Sequence, residues 1–75
     1  MEFSIGEMSK LHNISIQTLR YYDKIGLLKP AHINEENNYR YYTIDQFIVV
    51  DMIKHCKLMG LSLEEIKALI GTDIT

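Results

Sequence analysis

Three observations predict a mainly α-helical fold: four helices, with a two-stranded β-hairpin inserted between the second and third. Capping residues stand at Ser4, Ser15, Thr43 and Ser62, each ahead of a run with helical apolar spacing. Gly26, Gly60 and Gly71 fall where those runs end. Between the second and third runs lies a polar turn followed by Tyr39-Arg40-Tyr41-Tyr42, which has strand propensity.

In the first helix, Ser4-Ile5-Gly6-Glu7 fits a capping box, and Ile5, Met8 and Leu11 form its apolar side until His12-Asn13 breaks the pattern. The second helix runs from its N-cap Ser15 to about Ile25. Gly26 suits the left-handed position beyond it, and Leu27 suits the apolar contact that follows. Helix, short turn and helix in so few residues is the helix-turn-helix layout. A hairpin from Lys29 to Tyr42 is predicted next, with Pro30 at the start of an edge strand and Asn34-Glu35-Glu36-Asn37-Asn38 as the turn. Together these elements make a winged helix-turn-helix, the hairpin being the wing. Thr43-Ile44-Asp45-Gln46 opens the third helix, which continues to Met59. Its face of Phe47, Ile48, Met52, Ile53, Cys56 and Met59 is expected to be the spine of the core. The fourth helix starts at Ser62-Leu63-Glu64-Glu65, with Leu63, Ile66, Leu69 and Ile70 as its stripe.

With 75 residues the chain is expected to form a single domain over 1–75. No apolar run approaches a membrane span and no signal peptide is visible, so no membrane partner is expected. One cysteine cannot form an internal disulfide, which makes a cytoplasmic location the default. The net charge is −2, against the basic balance common in nucleic-acid domains. Residues 1–60 carry seven Lys/Arg and seven Asp/Glu, however, so local placement can still supply a basic face.

Gln17, Arg20, Tyr21 and Lys24 lie at i, i+3, i+4 and i+7 on the second helix, and so share one face. That face suits phosphates and bases, because Arg offers a planar fork and Tyr a hydroxyl donor. It equally suits the solvated side of an amphipathic helix. Adjacent side chains on a helix diverge by about 100°, so Tyr21 is expected exposed and Tyr22 buried by its ring. Alternation along the strand puts Arg40 with Tyr42, and Tyr39 with Tyr41. Arg40 is expected on the open side, because burying an unpaired guanidinium is costly; pairing with Glu35 or Glu36 is the other reading. Lys54 and Lys57 are either solvated or in reach of phosphate. Asp23, Asp45 and Asp51 read as surface or capping residues.

His55 and Cys56 are adjacent and diverge, while His12 and His32 lie far off in sequence, so no metal or other cofactor is expected. No nucleophile–base–acid set and no glycine-rich phosphate loop is legible, so the chain does not read as an enzyme.

Ser4-Ile5-Gly6-Glu7, Thr18-Leu19-Arg20-Tyr21-Tyr22-Asp23, Gly26-Leu27-Leu28-Lys29-Pro30, Asn38-Tyr39-Arg40-Tyr41-Tyr42 and Gly60-Leu61-Ser62-Leu63-Glu64-Glu65-Ile66 closely resemble the N-terminal DNA-binding domain of MerR-family transcription regulators, most of all the multidrug-sensing branch. The resemblance spans residues 3–71. It implies a cytoplasmic regulator that binds double-stranded promoter DNA as a homodimer. The dimer distorts an overlong spacer so that RNA polymerase engages the promoter. By matching position it implies DNA contacts from Arg20, Tyr21 and Tyr22. Ser15, Gln17 and Thr18 would lie at the front of the recognition helix, best placed to read bases. Tyr39, Arg40 and Tyr42 would serve on the wing, and Lys57 near the central phosphates. Lys24 joins them from the helix stripe.

Two positions depart from the family pattern: His32 where many members have Arg, and Asn38 where many have Gly. Asn38 is expected to tolerate the left-handed conformation of the turn. Neither the dimerisation helix nor the effector domain of the family falls within these residues, so this chain alone is expected to dimerise weakly or not at all. An excisionase-like architectural protein that bends DNA is the rival expectation, and a protein-interaction module with a tyrosine-rich surface is a second.

Overall fold

The computed structural model describes residues 1–71; the expected single domain over 1–75 thus includes four residues outside the described ones. The chain folds as β1 (Glu2–Ser4), α1 (Ile5–His12), α2 (Ile16–Lys24), β2 (His32–Ile33), β3 (Arg40–Thr43), α3 (Ile44–Leu58) and α4 (Leu63–Gly71). The four expected helices are present, and each starts for the local reason read from sequence. Ser4 and Glu7 close a reciprocal capping box, as do Thr43 and Gln46, and Ser62 and Glu65 exchange the same pair of bonds. At Ser15 the hydroxyl accepts from the Thr18 amide. Such caps satisfy amides that the first turn leaves without partners, each contributing about 1 kcal/mol.

Helices α1 and α2 form the helix-turn-helix. Asn13 supplies the turn's left-handed residue at φ 57. Beyond α2, Gly26 takes φ 76, and the amides of Leu27 and Leu28 return to the Tyr22 carbonyl. Both leucines thereby enter the core.

The wing differs from the expected two-stranded hairpin. Its sheet has three strands in the order β1-β3-β2, because the N-terminal segment pairs antiparallel with β3, Phe3 opposite Tyr42. Strand β2 begins at His32, so Lys29 and Pro30 lie ahead of it. The turn is built by asparagines: Asn34 Oδ1 accepts from the Glu36 amide, Asn37 Oδ1 from the Tyr39 amide, and Asn38 adopts φ 60. That last angle is the expected left-handed one.

The core comprises Met8, Leu19, Tyr22, Leu27, Leu28, Tyr42, Val50, Ile53 and Ile66. This corrects the expected spine of α3. Val50 and Ile53 are its buried residues, with Phe47, Val49 and Cys56 partly buried beside them. Ile48, Met52 and Met59 are 53%, 52% and 74% exposed. Residues 44–53 are apolar on nearly every side, so periodicity cannot choose a face. Contact with the sheet and α1 chooses the one centred on Val50.

Strand alternation holds, but the face packed against the helices is the one that carries Arg40 and Tyr42. Tyr42 is fully buried, and its hydroxyl has no hydrogen-bond partner among the described residues. Burial, then the Asp23 carboxylate, raise its pKa above the ordinary tyrosine value, while Arg40 and Arg20 pull it down. A raised pKa means the folded state keeps a proton the unfolded chain releases, so this contribution is intact below about pH 10 and lost as pH rises beyond it. Tyr42→Phe removes both the unpartnered hydroxyl and the titration. Urea unfolding is expected to find it as stable as wild type at neutral pH, or about 1 kcal/mol more so. Its alkaline loss should be the smaller; marked destabilisation at neutral pH would show a hydroxyl partner that matters.

Candidate nucleic-acid interface

Two clefts flank α2. The first, about 380 Å³, lies between the N-terminus of α2 and the C-terminal half of α3, lined by Ile14, Ser15, Thr18, Tyr22, Lys54, Lys57 and Leu58. Ser15 and Thr18 hydroxyls share a 2.8 Å hydrogen bond at its rim. Tyr22 forms part of the wall with its ring buried as expected, and burial raises its pKa, so it stays a neutral donor. Two ammonium groups and a helix N-terminus around one concavity suit a phosphate.

The second cleft, about 310 Å³, lies between α1, α2 and the wing, with Arg20, Tyr39, Arg40, Ile16, Ser4 and Gly6 among its lining residues. Tyr39 is exposed here. Gln17 and Lys24 are exposed on the outer surface of α2 and line neither cleft. Tyr21 is half exposed, as expected, and borders α4 beside Lys67 instead.

Three expectations are corrected. Tyr42 cannot offer its side chain to DNA in this conformation, because it fills the core. Arg40 is not on an open, unpartnered side: its Nε donates to Asp23 Oδ2 at 3.3 Å, with both side chains mostly buried. Its partner is neither Glu35 nor Glu36, since the wing tip turns those outward while Arg40 shares the packed face of β3. Asp23 and Asp51 are more than surface carboxylates. Asp23 also lies 3.8 Å from Lys29 Nζ, and Asp51 lies 3.2 Å from His12 Nδ1.

The sequence presents His12 as a helix end and as a histidine too distant to share a metal, with no sign of a core role. It is buried, with its ring against Phe47 at 4.1 Å and its backbone carbonyl bound by Lys54 Nζ. These contacts fasten the helix-turn-helix turn to α3 and fix the first cleft's two walls. The only sequence signal is that His12 stands one turn beyond Met8 on the apolar side of α1, where periodicity reads a polar residue as a break. His32 lies on the exposed face of the wing, its ring 5.6 Å from that of Tyr41. No group of His, Cys, Asp and Glu suited to a metal ion occurs among the described residues.

A net charge of −2 is compatible with these basic clefts because several acids are occupied elsewhere. Glu7 and Glu65 accept amide bonds at the N-termini of α1 and α4. Bonds from Ser62 hold the Glu65 carboxyl below its usual pKa.

A helix-turn-helix, a three-stranded wing and basic clefts on both sides of the second helix define a winged helix-turn-helix domain of the DNA-binding type. The family model of the MerR HTH family regulatory proteins matches residues 3–72, and the chain belongs to that family of transcription regulators. It is 57% identical over 65 residues to the multidrug-efflux transporter 1 regulator of Bacillus subtilis (strain 168), a match covering 87% of this chain and 23% of that protein. Its fold superposes with a TM-score of 0.88 on the N-terminus of MtaN, the Bacillus subtilis multidrug transporter activator, at 28% identity over 95% of this chain and 66% of that one. It also matches EcmrR in an EcmrR–DNA complex, with a TM-score of 0.87 and 41% identity over 97% of this chain and 27% of that one. The chain spans about a quarter of the length of the multidrug-efflux transporter regulators it matches.

The two lysines of the first cleft are expected to separate in their effects on folding. Lys54→Met, which releases the His12 carbonyl, should lower stability by about 1 kcal/mol in urea unfolding. Lys57→Met should stay within about 0.5 kcal/mol of wild type. Equal effects would contradict the structural role given to Lys54.

Proposed function

We propose that this chain binds double-stranded promoter DNA with α2 in the major groove and the wing beside it. The observation that carries this is the pair of basic clefts on the two sides of α2. Tyr22 and Lys57 hold a phosphate at the first, and Arg20, Tyr39 and Arg40 hold one at the second. Ser15, Gln17 and Thr18, at the helix front, reach base edges, while Tyr21 and Lys24 serve the flanking backbone. Phosphate contacts set orientation and base contacts set sequence.

Within a longer polypeptide, two such domains would bind a near-palindromic operator as a homodimer, since paired half-sites require paired domains. Distortion of an overlong promoter spacer would then bring its elements into register for RNA polymerase. EcmrR, whose fold this chain matches, was solved as an EcmrR–DNA complex in EcmrR-RPo. No catalytic step and no cofactor enters this function, and its place is the cytoplasm, where promoters lie.

Binding of a fluorescein-labelled pool of random-sequence duplexes, followed by anisotropy across a salt series, tests the phosphate clefts. Arg20→Ala and Lys57→Ala should each weaken binding and lower the magnitude of the log K against log salt slope by about one. Unchanged slopes in both variants would overturn the proposal.

A further inference from the structure

The carboxylate of Asp23 stands where the helix dipole disfavours it. It is the second-last residue of α2, at the negative end of the helix dipole. It also lies one turn from Arg20, on an element that must approach a polyanion. What it gains is a partner: Arg40 Nε at 3.3 Å, with Asp23 20% and Arg40 28% exposed. Lys29 is a looser neighbour, 3.8 Å away and 72% exposed.

We propose that Asp23 is a positioning residue for DNA binding, holding the Arg40 guanidinium by its Nε edge so that the terminal amino groups are presented at the wing-side cleft. The inference rests on the DNA-binding reading above. Arg40 borders that cleft with Arg20 and Tyr39, and a guanidinium has donors enough to serve a carboxylate on one edge and a phosphate on another. A side chain held in place before binding has already given up the rotamer freedom that DNA would otherwise have to remove. The same contact ties the wing to the recognition helix, so cleft and wing move together.

Charge and positioning predict opposite signs for Asp23→Asn. Removing a negative charge beside DNA should tighten binding, whereas releasing Arg40 should weaken it. With the 75-residue chain and the random-sequence duplex pool, D23N is expected to bind about fivefold more weakly. The magnitude of its salt slope should fall by about one, as for Arg40→Ala. In the R40A background D23N should cause no further weakening, since the two residues act as a unit. Binding by D23N as tight as wild type or tighter would overturn the proposal, as would equal weakening with and without Arg40. Should circular dichroism show D23N unfolded, Arg40→Lys carries the test. It keeps the cation but not the fork, and must bind as weakly as R40A; wild-type affinity for R40K would overturn the proposal. Lys57→Ala and Arg20→Ala separate the two levels. If they leave the salt slope intact, DNA binding through these clefts fails. If they lower it and D23N does not weaken binding, the positioning role alone fails.

Discussion

Tyr42 lies on the central strand of the sheet with its side chain wholly inside the core. Side chains on a strand alternate, so this burial commits Arg40, two residues earlier, to the same packed face. A guanidinium on such a face needs a partner, and Asp23 of the recognition helix meets it. The aromatic core residue thus determines which way the wing's cation points. On the opposite face Tyr41 lies against His32, and neither of these two residues lines a cleft.

A second constraint orients the other end of the recognition helix. His12, closing α1, is buried against Phe47 and faces Asp51, both residues of α3. Lys54, a turn further along α3, binds the His12 carbonyl. The turn into α2 is therefore seated on α3, and Ser15 and Thr18 stand across a cleft from Lys57 as a consequence. Each cleft is built where α2 is anchored to a different neighbour. They lie on two sides of the same helix, Ser15, Thr18 and Tyr22 lining one and Ile16 and Arg20 the other.

What the sequence made legible is what neighbouring residues decide among themselves. The caps at Ser4, Ser15, Thr43 and Ser62 act over three residues, so their helix starts were readable. The divergence of Tyr21 and Tyr22 follows from helix pitch alone, and both residues lie as expected. Pairing of Glu2–Ser4 with β3 spans some forty residues and leaves no local period in so short a strand. The buried face of α3 is not legible in the sequence because Ile48 and Met52 are as apolar as Val50 and Ile53, and only tertiary packing separates them. Arg40 lies on the packed side, against expectation, because its partner is seventeen residues away and the cost of burying it alone does not include that partner. Family resemblance supplied the wing's role in DNA binding, but it carried Tyr42 onto the DNA surface along with its neighbours, and burial shows why that residue belongs to the core.

The most direct measurement is the change in backbone amide NMR shifts when the random-sequence duplex pool is added to the 75-residue chain. In the proposed complex DNA lies across both clefts at once. Shifts should therefore concentrate at Ser15 to Arg20, at Tyr39 and Arg40, and at Lys57. The exposed stripe of Ile48, Met52 and Met59, which lines neither cleft, should stay still. Shifts confined to that stripe, or to one cleft with the other unmoved, would contradict it.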